Sequence, residues 1–270
     1  MTQLKLNSGH TIPAVGYGMW QIKNKQHALD GVADALKAGY RHFDTAQVYG
    51  NEAYLGEALE SAKTPRSGIF ITTKIANANQ YWDDVIPSLE QSLRNLRTDY
   101  VDLLLLHFPV TDLRRPAWRQ MEKINKSGRA KSIGVSNYTI RHLEELLKEC
   151  DTPPAVNQVE LHVYLQQHEL VEFCHQHNIV VEAYSPLAHG ESLDNPVLAK
   201  IGQKHGKSPA QIMLRWCIEI GTVPLPKSVH ADRIKSNLEL FDFKLDADDL
   251  KQIQGLERDL RTCWDPTHVA

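Results

Sequence analysis

Val101-Asp102-Leu103-Leu104-Leu105-Leu106-His107 reads as a short β-strand that ends abruptly in a side chain able to hold or pass a proton. A run of this length, apolar apart from one aspartate, fits a strand buried on both faces of a parallel sheet. Outward from it the same form recurs. Upstream, Ile69 to Thr73 runs into Lys74, and Arg41-His42-Phe43 runs into Asp44. Downstream, Ile133 to Val135 runs into Ser136-Asn137, Ala155-Val156 into Asn157-Gln158, Ile179 to Ala183 into Tyr184-Ser185, and Thr222 to Pro226 into Lys227-Ser228. A parallel β/α barrel gathers the carboxyl ends of its strands on one rim, so polar residues at those ends predict a single site there.

Between these runs lie amphipathic segments at 28–38, 52–62, 84–97, 115–127, 140–149, 168–177 and 231–238. Leu89, Leu93 and Leu96 show the i, i+4, i+7 stripe of a helix packed on a sheet. With a strand at Val15 to Gly18, the alternation gives eight βα units, and we expect one α/β domain over residues 1–270, a (β/α)8 TIM barrel. Leu4 to Leu6 and Thr11 to Pro13 flank the turn residues Asn7-Ser8-Gly9, which predicts an N-terminal hairpin plugging the barrel's bottom. An extra helix is expected after the seventh strand, opened by Ser208-Pro209-Ala210-Gln211 and closed by Gly221. A last helix opens at Asp246 with Asp249 three residues on, and the aperiodic tail from Arg261 to Ala270 is expected over the mouth. The rival open sheet would carry Gly-x-Gly-x-x-Gly, but Gly16-Tyr17-Gly18 is followed by Met19-Trp20-Gln21, without the third glycine.

Composition narrows the function. A formal net charge of -3 over 270 residues, with no dense Lys/Arg run, argues against nucleic acid and anionic membranes as partners. The start has no apolar leader and no run reaches membrane-spanning length, so a cytoplasmic protein is expected, and we expect a monomer. Cys150, Cys174, Cys217 and Cys263 lie far apart, which suggests free thiols rather than disulfides or zinc. The Asn125 and Asn137 sequons read as chance. His175 and His177, two apart on a helix, point in different directions, and no metal site is expected.

Asp44, Lys74 and His107 end three successive strands, and Tyr49 follows Asp44 by one loop. A phenol with an ordinary pKa of about 10 is a poor acid at neutral pH unless positive charge favours the phenolate. Lys74 offers that charge, Asp44 would hold the ammonium protonated, and a neutral His107 would orient a carbonyl oxygen. Singly, each has a blander reading as a turn former, packing residue, solvated strand end or satisfied histidine. Together at neighbouring strand ends they form a proton donor.

Gly39-Tyr40-Arg41-His42-Phe43-Asp44-Thr45-Ala46, followed by Tyr49-Gly50-Asn51-Glu52, resembles the first signature of the aldo-keto reductase family. Ile133-Gly134-Val135-Ser136-Asn137-Tyr138 and Pro226-Lys227-Ser228-Val229 resemble its later signatures, so the likeness spans almost the whole chain. The resemblance implies that Asp44, Tyr49, Lys74 and His107 are the family's tetrad, and that NADPH, in preference to NADH, binds extended across the mouth. On that reading Ser136, Asn137 and Gln158 hold the carboxamide, Tyr184 stacks on the nicotinamide, and Ser185-Pro186-Leu187 loops over the pyrophosphate. Lys227, Ser228 and Arg233 suit a monophosphate, Asn237 an adenine. Gly18, Met19, Trp20, Asp44, Val229 and His230 complete the implied cofactor site. His230 and Ser236 depart from residues common among relatives, which bears on the adenine end.

The implied reaction reduces an aldehyde or ketone to an alcohol, with Tyr49 as general acid. Trp20, Val48, Tyr49, His107 and Phe108 are the implied substrate contacts. Ala76 stands where relatives often carry tryptophan, with Trp82 placed to fold back over the gap. The short segment after Phe108-Pro109 and the short tail resemble bacterial-type members with open clefts, suiting small aldehydes, ketoaldehydes and dicarbonyls. Two rivals remain at this stage: a redox-sensing regulatory protein on the same barrel and cofactor, and an isomerase or aldolase using Lys74 as a Schiff-base amine.

Overall fold

The strands alternate by twos, and that periodicity explains the architecture. The structure, a computed structural model, describes residues 2–270. In chain order it contains β1 (Gln3–Lys5), β2 (Thr11–Pro13), β3 (Tyr17–Gly18), α1 (Lys25–Ala38), β4 (His42–Asp44), α2 (Glu52–Ser61), β5 (Phe70–Ile75), α3 (Val85–Leu96), β6 (Val101–Leu106) and α4 (Arg114–Lys126). There follow β7 (Ala130–Ser136), α5 (Ile140–Leu147), β8 (Val156–Glu160), α6 (His168–Gln176), β9 (Val180–Tyr184), α7 (Pro196–His205), α8 (Pro209–Glu219), β10 (Val223–Pro224), α9 (Ala231–Ser236) and α10 (Ala247–Gln254). Strands β3 to β10 pair in parallel, each with the next in sequence. The first strand also meets the last: Gly16 N–H donates to Pro224 O and Gly18 N–H to Pro226 O, both at 3.0 Å, closing the (β/α)8 barrel.

Leu103 and Leu105 belong to the cluster inside the barrel, whereas Leu104 and Leu106 join the larger core between barrel and helices. Successive residues of a strand face opposite sides. Continuing the inward series past Leu105 brings His107 to the mouth, and from Phe70 the same step of two runs through Thr72 to Lys74. The polar strand ends thus share a rim because the apolar residues two and four positions earlier share a core.

The hairpin plugs the bottom. β1 and β2 pair antiparallel with Leu4 opposite Ile12, and Leu6 and Ile12 pack against Phe70, Leu103, Val156, Val180 and Leu225. Asn7 Nδ2 donates to Pro154 O at 2.9 Å, and Gly9 takes a φ of +87° in the turn. The first strand begins one residue earlier than its apolar pattern suggests.

Ser208 with Gln211, and Asp246 with Asp249, form the expected capping boxes of α8 and α10. Two helices follow β9, however, where the sequence reading expected one. α7 carries its own punctuation: the Asn195 side chain accepts from Val197 N–H, Pro196 starts the helix, and Gly206 ends it at a φ of +65°. Its stripe of Val197, Leu198 and Ile201 is too short to announce itself by periodicity. β10 is shorter than the Thr222 to Pro226 run because Pro224 and Pro226 bring no N–H to a ladder.

Gly134, on β7, tests how closely the strands pack. A Cβ there would lie 2.5 Å from Val156 O and 2.8 Å from Leu105 Cδ2. Gly134→Ala is expected to destabilise the fold by about 2 kcal/mol or more, read as a lower urea midpoint at an unchanged m-value.

Candidate active site

The strands deliver Asp44 from the end of β4 and Lys74 from β5 to one point. Lys74 Nζ donates to Asp44 Oδ1 at 2.7 Å, to Oδ2 at 2.8 Å and to Thr45 O at 3.0 Å, and both side chains are buried. Its fourth neighbour is the Tyr49 hydroxyl at 3.4 Å, and the ammonium lies 5.0 Å from the centre of the Tyr49 ring. His107 follows β6, with its ring centroid 5.7 Å from that of Tyr49, and Trp20 approaches the phenol from the other side at 4.8 Å.

Tyr49 sits on one turn of 3-10 helix, Gln47–Tyr49, and this loop needs an anchor. Asn51 supplies it: buried, it donates to Met19 O at 2.9 Å and Ile22 O at 3.1 Å, and accepts from Thr45 Oγ1 at 2.7 Å. Gln47 adds a second tie, accepting from Ala76 N–H at 2.8 Å. The sequence motif includes Asn51, but nothing in the motif alone reveals that it binds three separate segments together.

Burial alone would lower the Lys74 pKa, but Asp44, Tyr49 and Glu182 outweigh it and the ammonium is held above its ordinary range. Burial brings His107 down to about 3, helped by Lys74, so its imidazole is neutral as expected. Tyr49 departs from the sequence expectation. Burial raises its pKa more than Lys74 lowers it, and Asp44 adds to the rise because it neutralises the charge that would favour a phenolate. Tyr49 therefore rests fully protonated, which is the state a donor requires.

A cleft of about 1130 Å³ opens over this group, larger than the usual small-molecule pocket of roughly 300–1,000 Å³. Gly18, Trp20, Asp44, Val48, Tyr49, His107, Phe108, Ser136, Asn137, Gln158, Tyr184, Ser185, Pro186, Leu187, Lys227, Ser228, Arg233 and Asn237 line it. Met19, Val229 and His230 do not. The Met19 side chain is in the core, Val229 packs against that core, and the His230 backbone N–H donates to Ser228 Oγ at 3.1 Å.

The polar groups along the cleft are already ordered. Ser136 Oγ donates to Gln158 O at 2.9 Å, Asn137 Nδ2 donates to His107 O at 3.0 Å and Ser136 Oγ at 3.2 Å, and Tyr184 donates to Asn137 Oδ1 at 2.8 Å. Gln158 Nε2 spends both hydrogens on Asp44 Oδ2, at 2.8 Å, and Glu182 Oε2, at 2.9 Å. Gln158 Oε1 and a lone pair on Asn137 Oδ1 are left as acceptors, which fits a ligand amide N–H. At the far end Lys227 and Arg233 are exposed, and neither has a carboxylate within ion-pair distance among the described residues. The donor set thus fits an amide at one end and an anion at the other.

The substrate end differs from the sequence reading in one respect. Trp82 does not fold over Ala76: it is exposed, outside the cleft, with Lys123 Nζ 4.6 Å from its ring centre. Trp264 of the tail lines the cleft instead, stacked on Phe108 with centroids 3.6 Å apart. Glu160, at the end of β8, fixes the tail there by accepting from Thr262 N–H at 2.7 Å and Cys263 N–H at 3.1 Å. Sequence reading placed the tail over the mouth but missed Trp264 and Glu160, since no periodicity marks a segment held by a remote strand end. Among the described residues, no group of three or more His, Cys, Asp or Glu could hold a metal ion, and no helix is long and apolar enough to cross a membrane.

Comparison with known proteins agrees with this geometry. A family model described as the Aldo/keto reductase family matches residues 14–258. The chain is 42% identical over 266 residues to a glyoxal reductase of Bacillus subtilis, covering 98% of this chain and 96% of that protein. Among solved structures, an aldo-keto reductase from a Medee basin deep-sea metagenome library superposes with a TM-score of 0.96 at 39% identity, covering 99% of both chains. A Bombyx mori aldo-keto reductase, solved in complex with NADP, gives 0.92 at 34% identity over 97% of this chain and 94% of that one.

Proposed function

The chain belongs to the aldo/keto reductase family, and we propose that it is an NADPH-dependent reductase that converts small aldehydes and ketones, dicarbonyls among them, to alcohols. The observation that carries the reading is a Tyr49 hydroxyl 3.4 Å from a buried, paired lysine at the foot of the cleft. The glyoxal reductase relative favours small dicarbonyls as the substrate class.

Bound NADPH supplies the hydride in this reading. Tyr49 gives its proton to the carbonyl oxygen as negative charge gathers there, and Lys74 stabilises the phenolate left behind. Asp44 keeps Lys74 charged and fixes its position. The neutral imidazole of His107 orients the oxygen by donating a hydrogen bond, and Trp20, Phe108 and Trp264 line the cleft beside the reacting centre with apolar surface. Ser136, Asn137 and Gln158 would hold the carboxamide, Tyr184 would offer its ring to the nicotinamide, and Ser185 to Leu187 would contact the pyrophosphate. At the far end Lys227, Ser228 and Arg233 would hold the 2′-phosphate and Asn237 would contact the adenine.

A Schiff-base role for Lys74 requires a neutral, free amine. Its three short hydrogen bonds and raised pKa oppose both conditions. A purely sensory role would not require the proton-donating tetrad beside the cofactor groove.

Preference for NADPH rests on the two unpaired cations. Replacing both Lys227 and Arg233 by alanine is expected to raise the KM for NADPH by about 100-fold while changing that for NADH by less than about threefold. Steady-state kinetics with both cofactors checks this, and equal rises would refute the phosphate assignment.

A further inference from the structure

The barrel interior holds a second carboxyl group that this mechanism does not use. Glu182 faces inward from β9, two residues before Tyr184, and is fully buried. It lies opposite Gln158 of β8 on one side and Val223 of β10 on the other. One of its oxygens accepts from Gln158 Nε2 at 2.9 Å, while the other, Oε1, has no hydrogen-bond partner. His42 Nε2 lies 3.5 Å from Oε1 and is engaged with Thr72 Oγ1 at 3.0 Å. Gly16 packs against the other side of that imidazole: a Cβ on it would meet His42 Nδ1 at 2.6 Å.

The charged and titratable groups around Glu182 are few. β4 contributes Asp44 and His42, β5 contributes Lys74, β8 presents the neutral amide of Gln158, and β10 presents Val223. Lys74 is already balanced by Asp44. His42 cannot supply a further positive charge, because burial and Lys74 bring it down to about 3. A carboxylate at Glu182 would therefore be an uncompensated buried charge. Burial, with Asp44 adding to it, pushes the carboxyl up to about 8 against the opposing effects of Gln158 and Lys74.

Resting on the reductase reading, we infer that Glu182 is a positioning residue of the reaction: with Asp44 it takes both amide hydrogens of Gln158, turning Gln158 Oε1 toward the cofactor, and its ionisation weakens Tyr49 as a proton donor. The second effect follows from charge. A carboxylate behind Asp44 opposes a phenolate on Tyr49 in the same sense as Asp44 itself. Tyr49 and Lys74 are held above their ordinary values and His107 is brought far below neutrality, and Glu182→Gln separates their titration from that of Glu182.

The test follows kcat at saturating NADPH and glyoxal from about pH 6 to about pH 9.5 in the wild type and in Glu182→Gln. The wild type is expected to lose about threefold or more through an inflection near pH 8, and Glu182→Gln to lack that inflection. A second readout needs neither cofactor nor turnover: infrared difference spectra of the wild-type protein should lose a protonated-carboxyl stretch over the same range. An inflection that persists in Glu182→Gln, or a wild type with no carboxyl titrating there, overturns the inference. The infrared titration alone decides if the variant does not fold. Absence of any turnover by the wild type would instead remove the reductase reading, while the infrared experiment still judges the charge on Glu182.

Discussion

Tyr49→Phe is expected to lower kcat by about 10³-fold or more while leaving the KM for NADPH within about threefold of wild type. The substitution removes one oxygen and nothing else. The ring keeps its contacts with Trp20, at 4.8 Å, and His107, at 5.7 Å. Lys74 loses its longest polar contact, at 3.4 Å, and retains the three shorter ones to Asp44 and Thr45. Little stability should be lost, so a collapse in turnover would report the missing proton rather than a disordered site. Single-turnover kinetics and NADPH titration by fluorescence separate the two effects, and a variant that turns over like wild type would remove Tyr49 from the mechanism.

Lys74→Met should be as damaging to catalysis and, unlike Tyr49→Phe, damaging to the fold. It leaves the Asp44 carboxylate buried beside Gln158 and Glu182 without its cation. Removing one partner of a buried ion pair costs about 3–5 kcal/mol, and loss of the charge that stabilises the phenolate should lower kcat by about 10³-fold or more. Because Lys74 is held above its ordinary 10.5, the stability it contributes is fully present below that value and is lost only as pH rises through the still higher pKa of the folded state. Adding Asp44→Asn removes the stranded charge and should recover part of the stability without recovering turnover. Urea denaturation checks the first expectation, and recovery of activity in the double variant would contradict the second.

These roles differ in how far the sequence announces them. Asp44, Lys74 and His107 are legible because a parallel barrel forces strand ends onto one rim, and an apolar run breaking into a polar residue marks such an end. The caps of α8 and α10 are legible because a capping box is a local code. Met19 adjoins Gly18 and Trp20, which line the cleft, yet its own side chain is in the core, a difference of facing that motif likeness does not resolve. The tail that carries Trp264 is held at Thr262 and Cys263 by Glu160, about a hundred residues away in sequence, and such pairings leave no local pattern. Glu182 was within reach of the same alternation that explains the fold, since it stands two before Tyr184. What the alternation does not give is its partner: the bridge through Gln158 to Asp44 spans strands whose neighbours are set only once the barrel closes.

The most direct test of the account is carbonyl-dependent oxidation of NADPH. Purified protein is mixed with NADPH and a panel of small aldehydes and dicarbonyls, glyoxal included, and loss of reduced-nicotinamide absorbance is measured against alcohol formed. Oxidation is expected to require the carbonyl, to match the alcohol mole for mole, and to disappear in Tyr49→Phe. Failure of every carbonyl to drive NADPH oxidation, together with a borohydride-trapped adduct on Lys74, would contradict it.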